Sequence, residues 1–208
     1  MKLIYVYDAL CGWCYGFTPV IQELQKQLGD QTTFEILSGG MFLSANRRPA
    51  SSMHAYISEA HKSVEDVTGV KFGPAFLEEY LKTDDVMDSE KPGIALTIFK
   101  EYQPHNAISF AHDMQVALNY NGQSLNDDNT YRALLEKYQV PVNEFLEKLH
   151  DDAYRYDTIQ EFNQVAQWGI TGFPAAIFDD GKELFLIARG FTPLERLLEV
   201  IEKIKVNK

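Results

Sequence analysis

The chain has two cysteines, Cys11 and Cys14, and they stand two residues apart where a strand pattern gives way to a helix pattern. Before them, Lys2-Leu3-Ile4-Tyr5-Val6-Tyr7 is a short aliphatic and aromatic run, which reads as a buried strand. After them, Val20, Ile21, Leu24 and Leu28 recur at helical spacing within Tyr15 to Leu28. The first amides of a helix have no internal partners, and the macrodipole adds partial positive charge there. Both favour a thiolate. A free thiol titrates near about 8.5, and one at such a position at roughly 3.5 to 7.5. Strand, Cys-x-x-Cys, helix is a redox signature. Cys11 therefore reads as an activated nucleophile and Cys14 as its resolving partner.

Other uses of the pair fit less well. A zinc site needs four ligands and usually two such pairs. His54 and His61, like His105 and His112, are seven residues apart, which puts each pair on one helix face without a ligand spacing. No metal site is expected. A structural disulfide closing so short a loop would constrain little of the unfolded chain. Two small buried hydrophobes remain the plain alternative.

At 208 residues the chain is long enough for one domain with a large insertion, or for two small domains. A hydrophobic share of 45% and a charged share of 24% are those of a soluble globular protein. A net charge of −11 disfavours nucleic acid and anionic membranes as partners. No run approaches the ~20 apolar residues of a membrane span. Met1 leads straight into the first strand with no signal-peptide pattern, so a cytoplasmic location is expected, where a Cys-x-x-Cys is more often catalytic than structural.

Along the chain, Asp8 closes the first strand, three residues before Cys11. It reads either as a turn or cap residue or as a carboxylate able to move protons at Cys14. Pro19 interrupts the hydrogen bonding of the following helix, Gly29 ends it, and Thr32 to Ser38 is a second strand broken by Gly39-Gly40. Arg47-Arg48-Pro49 reads as a solvated junction or as an anion contact beside the site. From Ser51 to Trp168 only helices are expected. Met53, Tyr56, Ile57 and Ala60 form one amphipathic face, and the aromatic residues of this stretch read as core. A helix is expected from Gly93 to Tyr102, another capped by Asn126-Asp127 through Tyr138, and one started by a capping box at Asp157-Thr158-Ile159-Gln160. Paired acids such as Asp151-Asp152 read as caps and turns. Strand signals return at Ala175 to Phe178 and Glu183 to Ala188, joined by an Asp179-Asp180-Gly181 turn. A capping box at Thr192-Pro193-Leu194-Glu195 opens the last helix. The expected fold is α/β: a mixed sheet flanked by helices, built from residues 1–48 and 168–208, with an all-helical insertion over 49–167.

This layout resembles the DsbA-type thioredoxin-fold family, in its leaderless, cytoplasmic, FrnE-like branch. Asp8-x-x-Cys11-x-Trp13-Cys14-Tyr15 carries the likeness, with Pro19, Gly172-Phe173-Pro174 ahead of a strand, and the Gly190 break before the last helix. The resemblance implies a protein disulfide oxidoreductase or isomerase working on protein or small thiols, with Cys11 and Cys14 catalytic and Asp8, Gly12 and Trp13 around them. It also implies a cis Pro174 facing the cysteines. There Pro174 would keep metal ions out, and the Phe173 backbone would hold an extended substrate segment. No cofactor is implied beyond glutathione as a redox partner. Gly12-Trp13 stands where the secreted oxidant of the family has Pro-His. The glutathione transferase and hydroxychromene-carboxylate isomerase branches share the layout but carry serine where Cys11 stands. Glutathione-dependent chemistry, with Arg47 or Arg48 holding glutathione carboxylates, is the second reading, and a binding adaptor with a redox switch is the third.

Overall fold

The computed structural model describes residues 1–206, so positions 207 and 208 of the expected C-terminal segment lie outside the described residues. Strand β1 (Lys2–Tyr7) leads into helix α1 (Gly12–Leu28), which returns the chain to β2 (Thr33–Ser38). β1 and β2 are parallel, with Lys2 opposite Thr33 and Tyr7 opposite Ser38, as a crossover helix requires. Much further along, β5 (Ala175–Asp179) pairs antiparallel with β1, and β6 (Leu184–Arg189) with β5. The sheet order is β2-β1-β5-β6.

β1 is central and both its faces are covered, which is why its sequence is continuously apolar rather than alternating. Leu3, Tyr5 and Tyr7 join the core formed with α1 and the last helix, α8 (Leu194–Val206). Ile4 and Val6 point the other way, into a smaller cluster with Leu37, Ile177 and Val165. Val165 belongs to α7 (Asp152–Gln167), which covers that face.

Between β2 and β5 lie α2 (His54–Thr68), α3 (Glu90–Tyr102), α4 (Ala107–Asn119), α5 (Asp128–Tyr138), α6 (Val142–Leu149) and α7. Their buried residues, among them Phe99, Phe110, Tyr131 and Phe145, belong to the same contiguous core as Leu3, Tyr5 and Phe17. α4 packs along α1, which fixes the Cys-x-x-Cys helix from behind.

Several expectations need correction. The stretch from Ser51 to Trp168 is not purely helical. β4 (Val86–Met87) pairs antiparallel with β3 (Arg48–Pro49), and two-residue strands carry too little pattern to be read from sequence. Arg48-Pro49 is thus part of a ladder, not a free linker. α3 starts at Glu90 rather than Gly93, because Pro92 falls in its first turn, where its missing N–H costs nothing. The capping box at Asp157 is internal to α7: Asp151 caps that helix by accepting from Ala153 N at 2.9 Å. Thr192 does not cap α8, since its hydroxyl turns back to Gly190 O at 3.5 Å. Asp127 caps α5 as expected.

Candidate active site

Cys11 is the N-cap residue of α1, with extended backbone. Its Sγ accepts from the Cys14 N–H at 3.4 Å, one of the amides a helix start leaves without a partner. Its thiol faces Phe173 O at 3.6 Å. The Phe173–Pro174 peptide is cis, and it lies at the start of β5, so the sheet brings residue 173 against residue 11. Phe173 packs tightly on the backbone after β2: a Cβ added to Gly39 would sit 1.9 Å from the Phe173 ring. Gly39 therefore does more than break a strand.

The two sulfurs differ in setting. Cys14 is fully buried, while Cys11 retains 6% of its surface at the floor of a cleft. Burial pushes the Cys14 thiol well up, and the hydrogen bond and charge of Cys11 add to that. The Asp8 backbone N–H and carboxylate both lie close enough to act on Cys14 in opposite senses. Trp13 is the exposed member of the motif.

Asp8 is buried, and burial raises its pKa above the usual carboxylate range. The rise is opposed by hydrogen bonds: Oδ1 accepts from Leu10 N at 3.0 Å and Oδ2 from Met41 N at 2.7 Å. It shapes the turn into α1 and ties it to the loop after β2, but it is not the helix cap. Beneath Cys14, the Tyr5 hydroxyl and Thr18 Oγ1 share a hydrogen bond of 2.9 Å, and Thr18 Oγ1 lies 2.8 Å from Gln115 Oε1 of α4.

A cleft of about 190 Å³ opens beside Cys11 and Trp13. Its walls are Met41 and Phe42 from the loop after β2, Met87 of β4, Met53 with Tyr56, Ile57, Ala60 and His61 of α2, and Phe72 and Phe76. The Met53–Ala60 face, amphipathic in sequence, lines this cleft while Met53 and Ile57 also pack against the core, and Tyr56 is 67% exposed. Periodicity marks an apolar face but not what it faces. His61 Nδ1 lies 2.9 Å from Ile57 O; a carbonyl only accepts, so Nδ1 carries the proton.

The two arginines of the junction part ways. Arg47 is held by Asp88 at 2.7 Å and Glu90 at 2.9 Å. Arg48 donates from Nε to Asn46 O, and its guanidinium lies 5.7 Å from the Phe42 ring centre. Among the described residues, no group of three or more His, Cys, Asp and Glu could hold a metal ion, and no helix is long and apolar enough to cross a membrane.

A family profile for the DSBA-like thioredoxin domain matches residues 2–202. The chain belongs to that family. It is a family of thiol–disulfide oxidoreductases. Comparison with curated proteins by sequence gives no match. Among solved structures, the DSBA-like chain is similar to a candidate protein disulfide isomerase from Nitrosomonas europaea, 26% identical, with 99% of this chain and 98% of that one covered and a TM-score of 0.88. The cytosolic disulfide reductase DsbM from Pseudomonas aeruginosa is 20% identical, with 99% and 100% covered and a TM-score of 0.82. DsbM has also been solved with GSH, where identity is 19%, coverage 99% and 100%, and the TM-score 0.81. A 2-hydroxychromene-2-carboxylate isomerase shares the fold at 13% identity and a TM-score of 0.67, with 99% and 95% covered.

Proposed function

We propose that this DSBA-like protein carries out dithiol–disulfide exchange through Cys11 and Cys14. The observation that carries the reading is the asymmetry of the pair. Cys11 sits at a helix start, facing the Phe173 carbonyl and an open cleft, while Cys14 is sealed beneath it. In the forward direction the Cys11 thiolate attacks a substrate disulfide. The substrate S–S bond breaks, one sulfur leaves as a thiolate that takes up a proton, and the other is bonded to Cys11. Cys14 then loses its proton, with Asp8 as the nearby acceptor, and attacks Cys11 Sγ. The second substrate thiol is released, and the protein is left with a Cys11–Cys14 disulfide in place of two thiols. Run in reverse, the same steps oxidise a substrate dithiol. Phe173 and Pro174 hold the substrate segment, with Gly12 and Trp13 forming the rim.

Glutathione is the proposed low-molecular-weight thiol partner, which the DsbM structure with GSH supports. A cytoplasmic location is proposed with it, in keeping with the description of DsbM as cytosolic. Residues 49–167 are read as an insertion that supplies one cleft wall to a discontinuous thioredoxin-like unit.

Two measurements test this. In glutathione buffers with thiol trapping, the pair should equilibrate between dithiol and disulfide. A potential near about −270 mV would mark a reductase and one near about −120 mV an oxidant. Cys14→Ser should leave a mixed disulfide trapped on Cys11. Adducts forming equally on Cys14 when Cys11 is replaced would refute the division of roles. The likeness to the isomerase keeps one competitor in view, glutathione-dependent isomerisation. Saturable glutathione binding by the protein lacking both cysteines, with no disulfide formed across the buffer range in the native chain, would favour it.

A further inference from the structure

β6 is the last strand in the sheet order, so among the described residues no strand pairs with its outer edge. Asp180 N donates to Glu183 O at 3.3 Å, which turns Glu183 and, by alternation, Phe185 towards β5. The backbone N–H and C=O groups of Leu184 and Leu186 therefore face outward. Ile177 lies opposite Leu186 and Ala176 opposite Ala188, so Ile187 is an extra residue, and this bulge ends the regular edge. Sheet edges are commonly guarded by charge, proline or a bulge. Here the bulge guards the far half, and Leu184-Phe185-Leu186 carries none of these devices.

The side chains point to the same segment. Leu184 is 56% and Leu186 48% exposed, and among the described residues no other leucine is as open. Both lie on the face of Asp179 and Ile177, the β5 residues opposite them. Two adjoining hollows flank them. One of about 500 Å³ runs from Leu184 past Trp168 along α7, and one of about 230 Å³ lies between Leu184, Leu186, Trp168 and Ile170, with Arg189 at its border.

We propose that this edge joins a second copy of the chain. Two β6 strands run antiparallel about a two-fold axis at Phe185. Leu184 of each copy then faces Leu186 of the other, and the outward N–H and C=O groups of both residues are paired across the joint. The leucines form one apolar row on one face, the cross-strand pairing that stabilises a sheet. The same register brings Arg189 of each copy to the hairpin turn of the other, where Asp179 lies on the leucine face and Lys182 lines a groove on the α8 side. Leucine meets leucine and arginine meets aspartate only because the strand is read against itself reversed, which selects a second copy over an unrelated extended segment. No residue of β6 lines the cleft beside Cys11, so both reacting centres stay uncovered.

The test is sedimentation velocity on the full-length protein, with its cysteines kept reduced, between about 1 and 500 μM, the span of weak to moderate affinities. The native protein should pass from one chain to two across it. Leu184→Glu and Leu186→Lys, each at an exposed position, should each raise the dissociation constant at least about tenfold, because each places two unpaired charges in the joint. Mixed in equal amounts, the two variants should associate again. The introduced carboxylate of one then faces the introduced ammonium of the other, and leucine still faces leucine in the second pair. Recovery on mixing also excludes misfolding as the cause of the loss. Val67→Glu, at an exposed position on α2, should associate as the native chain does. A native chain that stays monomeric throughout would overturn the proposal and leave the edge to a different partner. A dimer that survives either leucine substitution, a mixture no more associated than its components, or an equal loss in Val67→Glu would overturn it as well.

Discussion

Gly39→Ala is the substitution for which the structure gives the sharpest consequence. An added Cβ would lie 1.9 Å from Phe173 Cε1, 2.2 Å from Cζ and 2.7 Å from Cδ1. Non-bonded carbons settle at about 3.5 to 4.0 Å, so the ring edge must retreat by roughly 1.5 to 2 Å. Gly39 has no positive φ, so alanine meets no backbone penalty there and the whole effect acts through Phe173. The ring packs against the clusters on both faces of the sheet, and overpacking at such a place costs about 1–3 kcal/mol. For a chain of this size that lowers the melting midpoint by about 2 to 12 °C. The Phe173 carbonyl facing Cys11 moves with the ring, and a misplacement of about 1 Å at a reacting centre can cost about 10²-fold. The rate at which the reduced protein consumes a peptide disulfide should therefore fall by about 10- to 100-fold. Alkylation of Cys11 by iodoacetamide, which needs no docked segment, should change by less than about twofold by the same reasoning. Gly172→Ala is the control, because a methyl there meets nothing within 4 Å. A Gly39→Ala protein that melts lower yet exchanges at the native rate would refute the role given to the Phe173 loop. Exchange and alkylation falling together would mean that Cys11 itself, not the loop, had been disturbed.

Asp8 gives a pH test. Its folded-state pKa is raised, so the native state holds this proton more tightly than the unfolded chain does. The group's stabilising contribution is complete below the unfolded value of about 3.9 and is lost as pH rises through the folded value. The stability of the native chain should fall relative to Asp8→Asn across that window, by at most about 1.4 kcal/mol per pH unit. Parallel urea-denaturation curves from pH 4 to 7 would contradict this. Under the proposed mechanism, Asp8→Asn should also slow resolution by Cys14, so that the mixed disulfide accumulates in rapid-quench traces; native-like decay would remove Asp8 from the proton path. Glu161 of α7 pairs with the largely buried Lys100 of α3 and accepts from Ser38 N at 2.7 Å. Glu161→Gln removes the charge facing the ammonium, which keeps its hydrogen bond to Ile36 O at 3.3 Å, and should cost about 1–3 kcal/mol in chemical denaturation with exchange retained. A loss below about 0.5 kcal/mol would show that the pair contributes little, as surface pairs do.

How much of this was legible in the sequence depends on whether the signal was local. β1 could be read to the residue, because a strand buried on both faces is uniformly apolar. The Cys11-Cys14 pair stood out through its place between that strand and a helix. Asp127 announced a helix start and the Asp151-Asp152 pair a cap, whereas the pattern at Asp157 marked a start that lies inside α7. The cleft was not legible at all. Met41, Met87 and Phe72 are far apart in the chain, and the α2 face that completes the wall has the same period whether it meets a core or a void. The fates of Arg47 and Arg48 were equally hidden: adjacent in sequence, they are separated only by where Asp88 and Glu90 fall.

The same division has a mechanistic consequence. The sulfurs are positioned by α1, β1 and β5, elements joined by a continuous core and backed by α4. The cleft walls come from α2, the short β3–β4 ladder and two loops, of which α2 buries Val64 alone among its side chains. Few buried contacts mean low local stability, so these walls can yield to differently shaped apolar groups while the reacting centre stays fixed. On the proposed function, substitutions in the wall should then redistribute rates among substrates and leave the Cys11–Cys14 potential where it is. Substitutions at Asp8 or beneath Cys14, at Tyr5, Thr18 and Gln115, act on the buried thiol and its helix and should move the potential for every substrate alike.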